Sequence, residues 1–292
     1  MAAARMCGAN TRAGAAAHSR LARTYVNPGS EGEDLMDAVL VEHHGPVALI
    51  RLNREKSRNA LEPAIKEGLQ TNVPLLMADK SVRALVLTGA GNAFCAGGDI
   101  RDMKERGGPV IRARLQRSHS WVEKILTGEK PVIAAVNGAA AGAGFSLAMV
   151  CDIVLAADTS FFKAGFPGLG AVPDLALAMT LPRAIGMARA RDLLLTNRRV
   201  DPPEAVEMGI ASRIVPADRI VEEALALAAE LAAGPGVSLG LTKTMLNNAY
   251  GRTDDFLAFE AMAQAIAFDS KEFAEGVSAF LEKRKARFAE VA

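Results

Sequence analysis

The chain has 292 residues, half of them hydrophobic and 23% charged, the balance of a globular protein with a sizeable core, long enough for one main domain with an appendage. Thirty-four Lys and Arg against 33 Asp and Glu leave a net charge of +1, which argues against a nucleic-acid or membrane-surface partner. Three scattered cysteines (Cys7, Cys95, Cys151) indicate neither a disulfide framework nor a metal site, and every long apolar stretch is broken short of a membrane span.

Residues 1–35 stand apart. They carry Arg5, Arg12, Arg20 and Arg23 with no acid before Glu31, so they read as a poorly ordered or targeting-like extension. Such a leader suits a mitochondrial transit peptide. An upstream start ahead of Met36 suits it better, because the body is equally rich in Ala and Arg. The expected location is therefore cytoplasmic, or the mitochondrial matrix if the leader is a transit peptide.

From residue 38 the pattern becomes regular. Residues 38–41 and 47–52 predict two strands joined at Gly45-Pro46, residues 61–77 a helix, and 84–88 a short buried strand ending at Gly89. Residues 110–126 predict a second helix with Ile111, Leu115, Val122 and Ile125 as its apolar stripe. A buried strand follows over 131–136, then a Gly- and Ala-rich turn into a helix, then strands over 152–156 and 160–162. Repeated strand–strand–helix units imply a mixed α/β core over 36–216. Past residue 217 the pattern is helical only, over 220–233, 238–249, 256–268 and 271–288, as in a region that docks on the parent domain or another subunit.

Two segments concentrate small residues between a buried strand and a helix: 92–100 (NAFCAGGDI) and 137–146 (NGAAAGAGFS). Both offer backbone N–H groups where a helix dipole favours negative charge, and two donors aimed at one point form an oxyanion hole. Tight strand–helix packing alone also demands small residues there. A dinucleotide fingerprint fails, because Gly142-Ala-Gly144 lacks its third glycine and its later acid, and no Walker-type Gly-Lys-Ser/Thr occurs.

Together the two loops bring a family into view. The stretches 52–61 (LNREKSRNAL), 87–100 (LTGAGNAFCAGGDI), 130–138 (KPVIAAVNG), 148–153 (AMVCDI) and 280–285 (FLEKRK) resemble the crotonase, or enoyl-CoA hydratase/isomerase, family in order and spacing. The resemblance implies a crotonase-like spiral of strand–strand–helix units with an all-helical C-terminal trimerisation region, 217–292, forming a homotrimer or a dimer of trimers. It places oxyanion-hole donors on the N–H groups of Gly98 and Ala143. It implies an acyl-CoA substrate, with coenzyme A as part of the substrate and no further cofactor or metal. Coenzyme A would lie along Lys56, Ser57, Arg58 and Ala60, with Ala96, Asp99 and Ile100 near its adenine and pantetheine. Phe280 and Lys283 would reach a neighbouring subunit's nucleotide. Ordinary solvated charge accounts equally for Lys56, Arg58 and Lys283 taken singly.

The sequence departs from the hydratases of that family where their two water-activating glutamates would fall, at Ser146 and Phe166, so hydration is disfavoured. Asp174, in the run 168–174 (GLGAVPD), resembles the acid of the family's enoyl-CoA isomerases. One carboxylate suffices for a 1,3-proton shift through a dienolate. A helix N-cap is the competing reading of Asp174, although its apolar neighbours Leu169, Val172, Leu175 and Leu177 would raise its pKa usefully. Ser146 and Phe166 then read as substrate lining, Cys95 as a small hydrophobe, Asp152 as structural, and His119 as a surface histidine away from both loops. The expected activity is an enoyl-CoA isomerase. A hydratase, another crotonase-family lyase or hydrolase, and a noncatalytic acyl-CoA-binding subunit remain as alternatives.

Overall fold

The computed structural model describes residues 38–102 and 107–291, with the side chain of Asp102 excepted. The expected leader at 1–35 lies outside the described residues. The strands are β1 (Val39–His44), β2 (Val47–Leu52), β3 (Ala84–Gly89), β4 (Ala93–Cys95), β5 (Val132–Val136), β6 (Ala139–Ala141), β7 (Ile153–Ala157), β8 (Phe161–Lys163), β9 (Arg199–Val200) and β10 (Arg213–Val215). The helices are α1 (Pro63–Ala78), α2 (Gly108–Thr127), α3 (Ala143–Met149), α4 (Leu177–Ile185), α5 (Met187–Thr196), α6 (Pro202–Met208), α7 (Ile220–Ala233), α8 (Gly236–Asn248), α9 (Thr253–Phe268), α10 (Lys271–Leu281) and α11 (Phe288–Val291).

The strands form a six-stranded sheet, β1-β2-β3-β5-β7-β10, and a four-stranded one, β4-β6-β8-β9. The hairpin β1–β2 is antiparallel, and β2, β3, β5, β7 and β10 are parallel. Each of β3, β5 and β7 hands the chain to a short strand of the second sheet (β4, β6, β8), and a helix follows. The strand–strand–helix repeat expected from the sequence is therefore the building unit.

Continuous apolar runs in the large sheet reflect burial on both faces. Alternate side chains divide between two layers. Val47, Leu49, Val86, Ile133, Ala135 and Leu155 pack under Ile220, Ala224, Ala228 and Ala232 of α7. Ile50, Leu52, Leu85, Leu87, Ala134 and Val154 face the other way, onto the layer built by α1, α2 and the aromatic residues Phe94, Phe145 and Phe162. The buried stripe of α2 is Ser118, Trp121, Val122 and Ile125, whereas Ile111 and Leu115 are only half-buried. That corrects the expected stripe, and the reason is Trp121, whose large ring takes the central place against the core.

Asparagines lock the corners between units. Asn137 Nδ2 donates to the carbonyls of Gly89 and Gly91, both at 2.9 Å. Asn59 Nδ2 donates to those of Ala90 and Ala93, and its Oδ1 accepts from the Arg54 N–H. Each side chain satisfies backbone groups that the sheets leave unpaired, which is why an amide stands at each corner.

Among the described residues no strand follows Val215. Helix α8 is tied down by Lys243, whose buried Nζ donates to the carbonyls of Ile125 (2.7 Å) and Lys130 (3.0 Å) and pairs with Asp152 Oδ2 at 2.8 Å. Asp152 in turn accepts from the Val132 N–H at 2.8 Å, which fits its structural reading. Burial pushes the Asp152 carboxyl above its ordinary range, and Lys243 opposes that shift. We expect Lys243→Met to destabilise the fold by about 3–5 kcal/mol, because it strands a buried carboxylate and two carbonyls; urea unfolding measures this. The start of α8 is capped by the buried Glu272, which accepts from Gly236 and Val237 N–H, both at 2.9 Å. The single helix expected over 271–288 is two, since α10 ends at Leu281 and Lys283 turns left-handed at φ 55°.

Candidate active site

The segment proposed for coenzyme A and the first small-residue loop are one piece of structure. The Ala96 N–H donates to the Arg58 carbonyl at 3.0 Å, and the Leu61 N–H donates to the Gly97 carbonyl at 2.7 Å. Arg58 and Asn59 both adopt left-handed backbone, at φ 52° and 56°, and the Asn59 side chain holds that turn in place. Lys56 and Arg58 are thereby exposed on the rim, with Ser57 half-buried and Ala60 buried behind them. Ala96 is half-buried and Ile100 exposed. Asp99 is paired with Arg101 at 2.8 Å, and that contact holds its carboxyl below the usual carboxylate range.

The loop itself departs from the sequence reading, because its first half is a strand. β4 runs beside β6, and the next residues approach the start of α3 at backbone distance. A Cβ on Gly97 would sit 2.8 Å from the Ala141 carbonyl oxygen and 3.5 Å from the Ala143 nitrogen. One on Gly144 would lie only 2.0 Å from the Cys95 oxygen, so no other residue fits. Gly142 holds φ 54° and ψ −127°, a region open to glycine alone. A third segment closes on the same point: a Cβ on Gly165 would be 3.2 Å from the Gly142 nitrogen, which places Phe166, itself buried, beside α3. Tight packing and close approach of amides are thus the same requirement here.

Ala143 is the first residue of α3 and is buried; Gly98 is half-buried. Neither N–H donates in the turn, loop and cap hydrogen bonds of the described residues, whereas the intervening Gly142 N–H is taken by the Lys163 carbonyl at 3.0 Å. Two amides at the start of a helix and its neighbouring loop, donating in none of those bonds, can donate to an oxygen on which negative charge develops.

Asp174 precedes α4 by a turn. The expected N-cap role is not what the structure shows: the residue before α4 is Ala176, no side chain caps the helix, and Asp174 Oδ1 is buried with no hydrogen-bond partner. The turn that presents it is strained, with Leu175 at φ 44° and Ala176 at φ 67°, a left-handed pair at non-glycine residues. Such residues cost about 1–3 kcal/mol each and persist where the surroundings force them. Burial pushes the Asp174 carboxyl above its ordinary range, against the pull of its own N–H, Lys66, the Ser146 hydroxyl and His119. Of the four apolar neighbours expected to cause this, Leu175 and Leu177 are buried, but Leu169 and Val172 are 59% and 79% exposed and contribute no enclosure.

Ser146, fully buried in α3, donates to the Gly142 carbonyl at 3.3 Å and faces Asp174. Cys95 also lies near Asp174, and burial pushes its thiol up to about 12, which fits an inert small hydrophobe. His119 is exposed on α2, as the sequence reading has it, and contributes only the smallest of the electrostatic influences on Asp174. Lys66 acts on Asp174 more strongly, from α1, and was not singled out. No local spacing could have found either one, since α1 and α2 meet Asp174 only through the tertiary fold. Phe280 and Lys283 are not brought to the site within this chain. Both are exposed, and Phe280 lines a separate groove with Phe268, Phe273 and Phe288.

Residues 42–291 match the family described as enoyl-CoA hydratase/isomerase. The chain is similar to the "Probable enoyl-CoA hydratase" of Rhizobium meliloti, 37% identical over 86% of this chain and 98% of that one. It is also 36% identical to the 1,2-epoxyphenylacetyl-CoA isomerase of Escherichia coli, over 87% of this chain and 99% of that one. Among solved structures, the enoyl-CoA hydratase from Bacillus anthracis superposes with a TM-score of 0.81 at 30% identity, covering 86% of this chain and 99% of the other.

Proposed function

The chain belongs to the enoyl-CoA hydratase/isomerase family, and on that premise we propose that it is an enoyl-CoA isomerase that moves a double bond from the 3 to the 2 position. The observation that carries this reading is the solitary carboxylate at Asp174, one oxygen of which is buried without a hydrogen-bond partner, with Ser146 and Phe166 where a hydratase needs acids. Asp174 takes a proton from C2 of the 3-enoyl thioester. The electron pair moves into the carbonyl to form a dienolate, whose oxygen accepts hydrogen bonds from the Gly98 and Ala143 N–H groups. The protonated carboxyl then returns the proton to C4, leaving the conjugated 2-enoyl thioester and a regenerated carboxylate. A raised carboxyl pKa suits both halves, since a weaker acid is a stronger base. Coenzyme A lies along Lys56, Ser57, Arg58 and Ala60, the phosphates meeting the exposed cations. Ala96, Asp99 and Ile100 flank its adenine and pantetheine, while Ser146 and Phe166 line the acyl side.

A second reading, hydration of a 2-enoyl thioester, is favoured by the hydratase names of several relatives. Purified protein given 3-enoyl-CoA and 2-enoyl-CoA side by side separates the two. An isomerase interconverts them; a hydratase accumulates 3-hydroxyacyl-CoA. A cytoplasmic location fits the bacterial relatives named above.

We further propose that the C-terminal helices assemble trimers or paired trimers. Helix α9 buries only Ala263 within the chain and leaves Leu257, Met262, Ile266 and Phe268 exposed, an apolar row of the kind that marks an interface. Phe280 and Lys283 would then reach a neighbour's nucleotide. Sedimentation should show a trimer or hexamer for the wild type and a shift toward monomer for Ile266→Lys.

A further inference from the structure

The peptide unit that carries the Ala143 N–H also carries the Gly142 carbonyl. That carbonyl oxygen accepts two hydrogen bonds, both from Ser146: one from its N–H at 3.1 Å and one from its hydroxyl at 3.3 Å. The first is the ordinary opening bond of α3. The second is an addition that a hydroxyl side chain supplies by reaching back one helical turn. Ser146 is fully buried, so its hydroxyl hydrogen is spent within the protein.

A peptide unit is planar and trans, so its C=O and N–H point in opposite directions. Holding the oxygen therefore holds the direction in which the Ala143 hydrogen points. Gly142 needs that restraint, because at φ 54° and ψ −127° it has no Cβ to limit its own torsions. Its N–H is already held by the Lys163 carbonyl at 3.0 Å, which leaves the carbonyl end as the free one. A hydrogen bond onto that carbonyl also polarises the peptide and makes its N–H a stronger donor. The loop that ends in Gly98 stands close by, since a Cβ on Gly97 would lie 3.5 Å from the Ala143 nitrogen. A small rotation of this one peptide thus changes how the two amides converge.

We propose that Ser146 is a positioning residue for the oxyanion: its hydroxyl, bonded to the Gly142 carbonyl, aims and strengthens the Ala143 N–H. The inference rests on the reading of Gly98 and Ala143 as donors to the thioester oxygen, and it gives Ser146 a part beyond lining the acyl side. The same hydroxyl faces Asp174, and its one hydrogen fully serves one acceptor at a time.

A test separates the two acceptors. Butyryl-CoA, isotopically labelled at its thioester carbonyl, is bound to wild type, Ser146→Ala and Ser146→Thr, and the carbonyl stretch is read by difference infrared spectroscopy. In the wild type the band should move to lower frequency on binding, because two donors draw on the oxygen. In Ser146→Ala that displacement should shrink by about a tenth to a third, the share that one bond adds to its neighbour in a chain. One oxyanion donor is worth about 10²–10³ in kcat, so the same share of it lowers kcat about two- to eightfold. Affinity for free coenzyme A and the melting temperature should stay at wild-type values. Ser146→Thr keeps a hydroxyl able to reach the same carbonyl and should recover both band and kcat. An unmoved band in Ser146→Ala overturns the proposal. If the acid limb of activity then moves to higher pH, the hydroxyl belongs to Asp174, whose carboxyl rises further without it. A folded threonine variant that recovers neither quantity overturns it too, as does a kcat that falls only in step with coenzyme A affinity and melting temperature. A bound ligand whose band does not move even in the wild type would instead sink the two-amide reading itself.

Discussion

Asp174→Asn should abolish isomerisation, with kcat falling by about 10²–10⁴ and the affinity for a saturated acyl-CoA unchanged. The range is what a positioned acid–base group contributes. Affinity should survive because Lys56, Arg58 and the two amides, which we propose hold the coenzyme A and the thioester, are untouched. The same substitution should stabilise the fold at neutral pH. Burial raises the folded-state pKa of Asp174 above its unfolded value. The protonated group's contribution is therefore fully present below the unfolded pKa and is lost as pH rises through the raised folded value. At neutral pH the wild type carries a buried, half-satisfied carboxylate, and the asparagine variant does not. Melting curves at several pH values should show the variant's advantage growing as pH climbs from the acid range to neutrality. Wild-type activity should rise over the same window, above the ordinary carboxylate range. Equal stability at all pH values, or turnover retained in the variant, would remove Asp174 from the mechanism.

The second large effect concerns one hydrogen atom. Ala143 opens α3, the helix position at which proline is best tolerated, because the N–H there has no partner inside the helix. Gly142 before it stands outside the α region that a following proline forbids. Ala143→Pro thus deletes the amide hydrogen with little damage to the backbone. Loss of one oxyanion donor costs about 10²–10³ in kcat. Stopped-flow turnover with a parallel thermal melt would show that loss at a nearly unchanged melting temperature. A matched fall in stability would mean that the amide had been serving the fold.

Much of this architecture is written in local patterns. β5 and the first four residues of both β2 and β3 are continuous apolar runs because both faces of the large sheet are covered, and such runs are legible without a partner in view. The strands β4 and β6 are not legible: each is only three residues long and lies inside what reads as a loop. They form only because Gly97, Gly138 and Gly144 allow adjacent units to touch at backbone distance. The break at Lys283 carries no glycine or proline to announce it. There the Lys283 and Arg284 N–H groups turn back to the carbonyls of Phe280 and Ala279, and Arg284 pairs with Glu275.

At the site the division is similar. The two small-residue loops stand out in sequence on their own, whereas Gly98, Ala143 and Asp174 are singled out by the resemblance to the family. The strained turn at Leu175 and Ala176 runs against both residues' preference, so the displacement of Asp174 from the head of α4 could not be read locally. His119 and Lys66 come from helices whose local role is packing or solvation. Their influence on Asp174 exists only once α1 and α2 are laid beside it.

The central claim is geometric, namely that one thioester oxygen meets two amides while one carboxylate addresses two carbons. A crystal structure of Asp174→Asn with 3-enoyl-CoA trapped in the site tests it most directly. The thioester oxygen is expected about 3 Å from both the Gly98 and Ala143 nitrogens, with the residue-174 side chain lying over C2 and C4. An oxygen held by neither amide, or by only one, or a residue-174 side chain turned away from those carbons, would contradict it.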